Sequence, residues 1–172
     1  HPRLVLISVL IFIWGARLAY YIFKRNKKKT EDFRYKAWRD EWGNNFYWRS
    51  YLQVYLLQAF FLLLIISPVM TSAAENVSTL TFLDIAGVFI WFIGFLFESV
   101  GDYQLDKFKK DKSPDKGKVM KTGLWKYSRH PNYFGEVVLW WGIFVIAMQS
   151  NYGMYGIIGP ITITFLIRYV SG

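Results

Sequence analysis

Long apolar runs alternate with short, densely charged segments along this chain of 172 residues. A membrane-spanning helix needs about 20 mostly apolar residues to cross the hydrocarbon core. Five runs near that length predict spans at residues 4–23, 51–69, 83–100, 133–148 and 155–170. Ser67-Pro68 should end the second span, and Gly159-Pro160 should kink or loosen the fifth. The pattern therefore predicts an all-α, multi-pass transmembrane helical bundle that forms a single membrane domain over residues 1–172.

The basic residues are concentrated in two of the four connections between these spans. Residues 24–49 and 102–129 carry nine Lys or Arg each, whereas residues 71–81 and 149–154 carry none. Lys and Arg accumulate on the cytosolic side of membrane proteins. We therefore predict an integral protein of a bacterial cytoplasmic membrane or of the endoplasmic reticulum, with both basic connections in the cytosol.

Composition excludes several classes of function. The chain is 53% hydrophobic, 20% aromatic and carries a net charge of +9, but its Lys residues flank apolar spans, which argues against nucleic-acid binding. The absence of Cys rules out disulfides, thiolate metal sites and cysteine nucleophiles, and two His residues do not favour a metal or haem site. There is neither a Walker loop nor a dinucleotide-binding G-x-G-x-x-G after a strand. Gly153, Gly156 and Gly159 favour close helix packing instead of a phosphate-binding loop.

Six ionisable residues lie near the predicted cytosolic ends of spans: Arg17, Glu98, Asp102, Arg129, Glu136 and Arg168. A charge at the edge of the hydrocarbon costs about 2–3 kcal/mol or more unless it is paired or lines a wet cavity. The long side chains of Arg17 and Arg168 can reach the interface by snorkelling, which is a simpler explanation for them. Glu98 and Glu136 are short and lie among Phe, Leu, Val and Trp, so they indicate a binding site.

Two segments carry residue types that suit a nucleotide-like ligand. Glu98, Asp102 and Lys109 share one face if the third helix continues, and carboxylates suit ribose hydroxyls whereas Lys suits phosphate. A solvated juxtamembrane helix gives the same pattern, so both interpretations stay open there. In the second segment Arg129 and His130 precede Pro131, which is typical of the first turn of a helix whose N-terminus attracts anions.

Asn132 and Glu136 follow Pro131 on one face of that helix, with Trp140 a turn deeper as an apolar wall. A lone His at a membrane interface is more often a satisfied structural residue than a catalyst. Its position between Arg129 and the helix N-terminus favours a binding role for His130. The segment therefore predicts a phosphate- or carboxylate-binding site.

The run from Gly123 to Glu136, GLWKYSRHPNYFGE, resembles the C-terminal signature of the steroid 5-alpha-reductase superfamily, and above all its uncharacterised membrane branch. The segments FESVGDYQL (97–105), EDFRY (31–35) and RYVSG (168–172) are similar to that branch as well. Isoprenylcysteine carboxyl methyltransferases share the fold and a similar Arg-His-Pro-x-Tyr segment. The resemblance covers essentially the whole chain.

This resemblance implies a helical membrane fold that binds NADPH in a cavity open to the cytosol. It assigns cofactor contacts to Glu98, Asp102, Lys109, Tyr127, Arg129, His130, Asn132, Tyr133, Glu136 and Arg168, and it assigns no metal ligand. Glu98 stands where steroid reductases carry Asn, and Lys109 stands where they carry Arg. Arg129 and His130 match the sterol-reductase form of the signature.

The resemblance leaves the catalytic residues unassigned. The Glu that engages the substrate carbonyl in steroid reductases lies on a helix that would precede His1, and Trp14, Tyr20 and Tyr21 are equal candidates for the Tyr. Because the chain starts at His1 and stops at Gly172, we expect it to be part of a longer protein and not active alone.

Three functions follow as hypotheses. The first is an NADPH-dependent reductase of an activated C=C bond in a hydrophobic, lipid- or steroid-like substrate drawn from the bilayer. The second is an S-adenosylmethionine-dependent methyltransferase of the isoprenylcysteine carboxyl type. The third is a non-catalytic lipid-binding protein. The sequence specifies neither the substrate nor the oligomeric state.

Overall fold

A computed structural model describes residues 2–27, 33–74, 79–111 and 119–171, and these ranges are helical almost throughout without any strand. The α-helices are α1 (Pro2–Asn26), α2 (Phe33–Trp42), α3 (Phe46–Ser50), α4 (Leu57–Ile65), α5 (Ser67–Ala73), α6 (Phe82–Lys110), α7 (Pro131–Ala147) and α8 (Ile158–Leu166). Short 3₁₀ segments cover Gly43–Asn45, Gly123–Lys126 and Gly153–Ile157. Wider π-helical segments cover Tyr51–Leu56 and Ile167–Ser171. The all-helical fold is as predicted.

Four helical stretches of the described residues are long and apolar enough to cross a membrane: Pro2–Asn26, Tyr35–Ile65, Phe82–Lys110 and Gly153–Val170. They correspond to the first, second, third and fifth predicted spans. The fourth predicted span corresponds to α7, a helix of 17 residues that is not among these four stretches. The fold is therefore that of a membrane protein with four candidate spans, and a fifth span stays a prediction.

The second candidate span begins earlier than the sequence pattern predicts. Residues 24–49 read as a basic connection, but residues 33–50 are helical and lead into α4. The rings of Tyr35, Trp38 and Trp42 recur every three or four residues and pack on one another, with centroids 5.4 Å apart in each pair. This aromatic stripe favours helix in a segment whose polar residues indicate a loop. Lys28, Lys29, Glu31 and Asp32 lie outside the described residues.

The breaks predicted at proline occur close to the expected positions. The α4 helix ends at Ile65, and α5 begins at Ser67 with Pro68 in its first turn. The fifth span opens with the 3₁₀ turn Gly153–Ile157, so the irregular backbone lies just before Gly159-Pro160 instead of at it. A Cβ on Gly159 would lie 2.5 Å from the carbonyl oxygen of Ile65, which confirms close helix packing there.

The chain divides into two compact units. One consists of Ser8–Leu64, and the other of His1–Ile7 with Ile65–Gly172. The larger unit contains α5 to α8 and all ten residues predicted to bind cofactor. Arg17, the remaining member of the six ionisable residues, belongs to the smaller unit.

Helices α6 and α7 form the centre of the larger unit and run antiparallel in backbone contact. The contact follows glycines spaced seven residues apart, Gly87, Gly94 and Gly101 on α6 and Gly135 and Gly142 on α7. A Cβ on Gly94 would lie 2.6 Å from the carbonyl oxygen of Gly135, and one on Gly142 would lie 2.6 Å from the backbone nitrogen of Trp91. Glycine therefore sets the separation of the two helices, as small residues do at membrane-helix interfaces.

A buried ion pair closes the end of this helix pair where α6 begins. Arg3 Nε donates to Asp84 Oδ1 at 2.9 Å, and the two side chains are 4% and 2% exposed. Arg3 Nη2 also donates to Asp84 Oδ2, to the Thr79 carbonyl and to Gln149 Oε1, each at 3.2 Å. The same Asp84 carboxylate accepts the Thr81 N–H at 2.7 Å and completes a capping box at the start of α6. The Arg3–Asp84 pair thus joins the start of α1, the start of α6 and the segment that follows α7.

Replacement of Gly94 by Ala should lower the stability of the larger unit by about 1–3 kcal/mol, the usual cost of overpacking. The added methyl group meets backbone atoms of α7, which cannot rotate away. Thermal unfolding in detergent measures the effect. Gly15→Ala is the matched control because nothing lies within 4 Å of that position. It should leave the unfolding temperature unchanged or raise it, and equal losses in the two variants would contradict the packing argument.

Removal of either partner of the Arg3–Asp84 pair should destabilise the protein by about 3–5 kcal/mol, because the other partner is left charged and buried. Arg3→Met and Asp84→Asn are the single variants. The double variant should recover part of that loss, since it leaves neither a buried guanidinium nor a buried carboxylate without its partner. A double-mutant cycle from urea or thermal unfolding gives the coupling energy. Additive losses would show that the two side chains act independently.

Candidate functional site

The close approach of α6 and α7 brings three predicted residues together at the end of the pair opposite to Arg3. A Cβ on Gly101 would lie 3.1 Å from the backbone nitrogen of Asn132, so Asn132 sits directly against α6. Its Nδ2 donates a hydrogen bond to Asp102 Oδ1 at 3.2 Å. Glu98 lies one turn earlier on α6, and a Cβ on Gly135 would lie 3.0 Å from its Cα. We call Glu98, Asp102 and Asn132 the polar cluster.

The polar cluster is buried and consists mainly of hydrogen-bond acceptors. Glu98 is 3% exposed and Asp102 is 5% exposed. The Oδ1 atom of Asn132 is buried and accepts no hydrogen bond from the described part of the chain. Buried amide oxygens are nearly always paired, so an unpaired one indicates a position for a ligand donor or an ordered water. The cluster is therefore chemically suited to bind hydroxyl or N–H groups.

A second group of predicted residues lines a groove between α7 and α8. The groove has a volume of about 560 Å³. Its polar side consists of Ser128, Arg129, His130, Tyr133 and Arg168, and its apolar side includes Phe134, Val137 and Ile167, with Thr164 also in the wall. We call this cavity the α7–α8 groove. Two guanidinium groups in one cavity make it suited to a phosphate or carboxylate.

The start of α7 shapes this groove as the sequence predicts. Pro131 occupies the first turn, and His130 precedes the helix with an extended φ of −143°. The His130 ring stacks on Tyr133 with centroids 4.9 Å apart and meets Trp125 edge-on at 6.4 Å. This packing holds the imidazole beside the α7 N-terminus, where free N–H groups and the helix dipole favour anions.

The remaining predicted residues lie outside both groups. Lys109 is exposed near the end of α6, which does continue to Lys110, so Lys109 shares a helix face with Asp102 as expected. Tyr127 is 84% exposed and lies outside the groove lining. Glu136 is half-buried on α7, one turn beyond Asn132.

Sequence reasoning missed several residues that complete these sites. Thr164 on α8 lies four residues before Arg168, which belongs to the π-helical segment that follows α8, and that spacing was a usable signal for its place in the α7–α8 groove. Trp125 Nε1 donates to the Gly101 carbonyl at 3.1 Å, and the Leu124 N–H donates to Gln104 Oε1 at 3.0 Å. These two bonds fasten the segment before α7 to α6, and no local pattern indicated them.

The part of the chain that the structure describes contains no arrangement of side chains that indicates a metal centre. No group of three His, Cys, Asp or Glu side chains is arranged to hold an ion there. The described sites offer carboxylate and amide acceptors at the polar cluster and cationic donors in the α7–α8 groove.

Comparison with known proteins places the chain in a family without assigning its chemistry. An uncharacterised protein of Schizosaccharomyces pombe, C594.04c, is 24% identical to this chain in an alignment 172 residues long. The alignment covers 87% of this chain and 49% of that protein. The chain thus spans about half the length of this curated relative. No solved structure matches it. The family model described as a protein of unknown function, DUF1295, matches residues 1–172, and the chain belongs to that family.

Proposed function

We propose that this protein is an NADPH-dependent membrane oxidoreductase that reduces an activated C=C bond of a lipid- or steroid-like substrate. One observation carries the proposal. Two sites of opposite character flank the first turn of α7, cations on the α8 side and buried acceptors on the α6 side. A dinucleotide carries phosphates as well as ribose and amide groups, so it can use both sites. The sequence resemblance to the steroid 5-alpha-reductase superfamily points the same way.

Each site has a distinct task in this proposal. Arg129 and Arg168 hold phosphate oxygens in the α7–α8 groove, where the α7 N-terminus adds to the positive potential. Asp102 and Glu98 accept hydrogen bonds from ribose hydroxyl or amide groups. The unpaired Oδ1 of Asn132 accepts one more, which satisfies an otherwise orphaned buried atom.

The chemistry of the cofactor is hydride donation, and the protein supplies binding, orientation and exclusion of water. Reduction of an activated C=C bond also needs a group that polarises the substrate carbonyl and one that delivers a proton. No described residue is assigned to either task. Burial of Glu98 and Asp102 within the helix pair is the part of the water exclusion that the described residues perform.

A methyltransferase that uses S-adenosylmethionine is the second candidate. The buried carboxylates of the polar cluster suit the ribose of that cofactor as well as they suit that of NADPH. S-adenosylmethionine carries a single carboxylate and no phosphate, so it can pair with one Arg side chain of the groove but has no second anion for the other. The Arg pair therefore favours the reductase and separates the two hypotheses by experiment.

The first test is cofactor binding to the full-length protein in detergent, followed by thermal stabilisation and by tryptophan fluorescence. NADPH should stabilise the protein, and Arg129→Gln or Arg168→Gln should each weaken its binding about 10- to 100-fold, the usual effect of losing one charged hydrogen bond. Arg25→Gln is the matched control, since Arg25 is exposed in the smaller unit.

The three cofactor titrations distinguish the hypotheses. Stabilisation by S-adenosylmethionine alone would overturn the reductase in favour of the methyltransferase. No response to NADPH, NADH or S-adenosylmethionine, from protein shown to be folded, would leave a non-catalytic lipid-binding protein as the better description. Equal losses of affinity in Arg25→Gln and Arg168→Gln would mean that net charge, not the groove, attracts the nucleotide.

The polar cluster generates a separate prediction. Asp102→Asn should lower NADPH affinity about tenfold, because a neutral amide oxygen is a weaker acceptor for a ligand hydroxyl than a carboxylate is. Asn132→Ala should lower affinity as well, and it should also lower stability through the lost bond to Asp102. Unchanged NADPH affinity in both variants, measured beside the unfolding temperature, would remove the polar cluster from the proposed site.

A further inference from the structure

We propose that a second groove, at the C-terminal end of α6, binds the phosphate of an anionic phospholipid. This cavity of about 640 Å³ lies between the last turns of α6 and the segment from residues 119 to 126. Its wall includes Tyr103, Lys107, Phe108, Lys110, Met120 and Thr122. We call it the α6 groove. The proposal is independent of the reductase and holds whichever cofactor the protein binds.

The lining of the α6 groove matches the chemistry of a lipid headgroup. Lys107 and Lys110 supply ammonium groups, and Thr122 supplies a hydroxyl, so the groove can hold a phosphate ester. Tyr103, Phe108 and Met120 supply apolar surface beside them, and Tyr103 is 68% exposed. A free phosphate has no use for that apolar surface, whereas the glycerol and first acyl carbons of a phospholipid do.

The position of the groove along α6 agrees with the depth of a headgroup. The 29 residues of α6 measure about 43 Å at 1.5 Å per residue, which exceeds the hydrocarbon core of about 30 Å. The apolar part of the helix extends from Phe82 to Val100, about 28 Å. The α6 groove begins at Tyr103, one turn beyond it. Its cations therefore lie at the level where lipid phosphates lie.

Two features give the groove a fixed wall. Gly123 has a φ of +60°, and a Cβ there would lie 2.6 Å from the side-chain amide of Gln104. The Leu124 N–H donates to Gln104 Oε1 at 3.0 Å, and Trp125 Nε1 donates to the Gly101 carbonyl at 3.1 Å. The left-handed turn and the two bonds hold Thr122 and Met120 at a set distance from α6. The groove is thus built by tertiary contacts.

The α6 groove lies on a different face of α6 from the polar cluster. Tyr103, Lys107 and Lys110 follow the helical spacing of one stripe, and Glu98 and Asp102 follow another. A phospholipid in the groove therefore does not occupy the face of α6 on which Asp102 contacts Asn132. This separation distinguishes the groove from the cofactor site proposed above.

Nearby acidic residues determine whether Lys107 or Lys110 attracts the lipid phosphate more strongly. Lys110 Nζ lies 3.7 Å from Asp106 Oδ2, and Asp111 also lines the groove. Part of the charge of Lys110 is therefore compensated. Lys107 should carry the larger share of the attraction, and the interaction should weaken as the ionic strength rises.

Native mass spectrometry of the full-length protein in detergent tests the proposal, with phosphatidylglycerol added as the anionic lipid and phosphatidylcholine as the zwitterionic one. Phosphatidylglycerol should be retained in preference. Lys107→Gln should weaken its binding about fivefold, Lys107→Gln with Lys110→Gln should weaken it further, and Lys107→Arg should retain it. Lys27→Gln with Lys36→Gln is the matched control because it removes the same charge from exposed positions of the smaller unit.

Three results would overturn the proposal. The first is an equal loss of phosphatidylglycerol from the control pair, which would indicate diffuse attraction to a basic protein. The second is displacement of the lipid by NADPH, which would make the groove part of a nucleotide site. The third is displacement by millimolar inorganic phosphate, which would indicate a free anion as the ligand. Failure of NADPH to bind at all would contradict the proposed function and leave this inference intact.

Discussion

The backbone contact between α6 and α7 is the constraint on which the larger unit depends. Glycines spaced by seven residues let the helices approach until the main chain of one contacts the main chain of the other. Van der Waals contact at that distance supplies cohesion that the hydrophobic effect cannot supply inside a bilayer. The same approach places Asn132 against Gly101 and within hydrogen-bond distance of Asp102. The candidate site is therefore a product of the helix packing.

The two ends of this helix pair use buried polar groups differently. At one end Arg3 and Asp84 neutralise each other, and the same carboxylate completes the cap of α6. At the other end the amide oxygen of Asn132 is buried beside Asp102 and is unpaired within the described residues. A neutralised ion pair suits a structural role, whereas a buried acceptor without a donor suits ligand binding. This contrast is the reason to interpret the end with Arg3 as a structural contact and the end with Asn132 as a ligand-binding site.

The sequence predicted the parts of the structure that local physics determines. Apolar runs located four candidate spans, Pro131 marked the start of α7, and the four-residue spacing of Glu98 and Asp102 put both carboxylates on one face. The α2 helix was not predicted because the polar residues of this segment indicate a loop more strongly than its aromatic stripe indicates a helix. Ring packing stabilises that stripe in the structure. Arg3 and Asp84 escaped because 81 residues separate them, and no local pattern encodes such a pairing.

The glycine contact also limits how the length of this chain can change. One extra residue between Gly94 and Gly101 would rotate everything beyond it by about 100° around the α6 axis. Gly101 would turn away from Asn132, a side chain would enter the backbone contact, and Asp102 would leave its partner. Insertions and deletions within this stretch should therefore be far more harmful than substitutions at its exposed positions. The candidate site should therefore be more sensitive to a change in the register of α6 against α7 than to the substitution of any single polar residue.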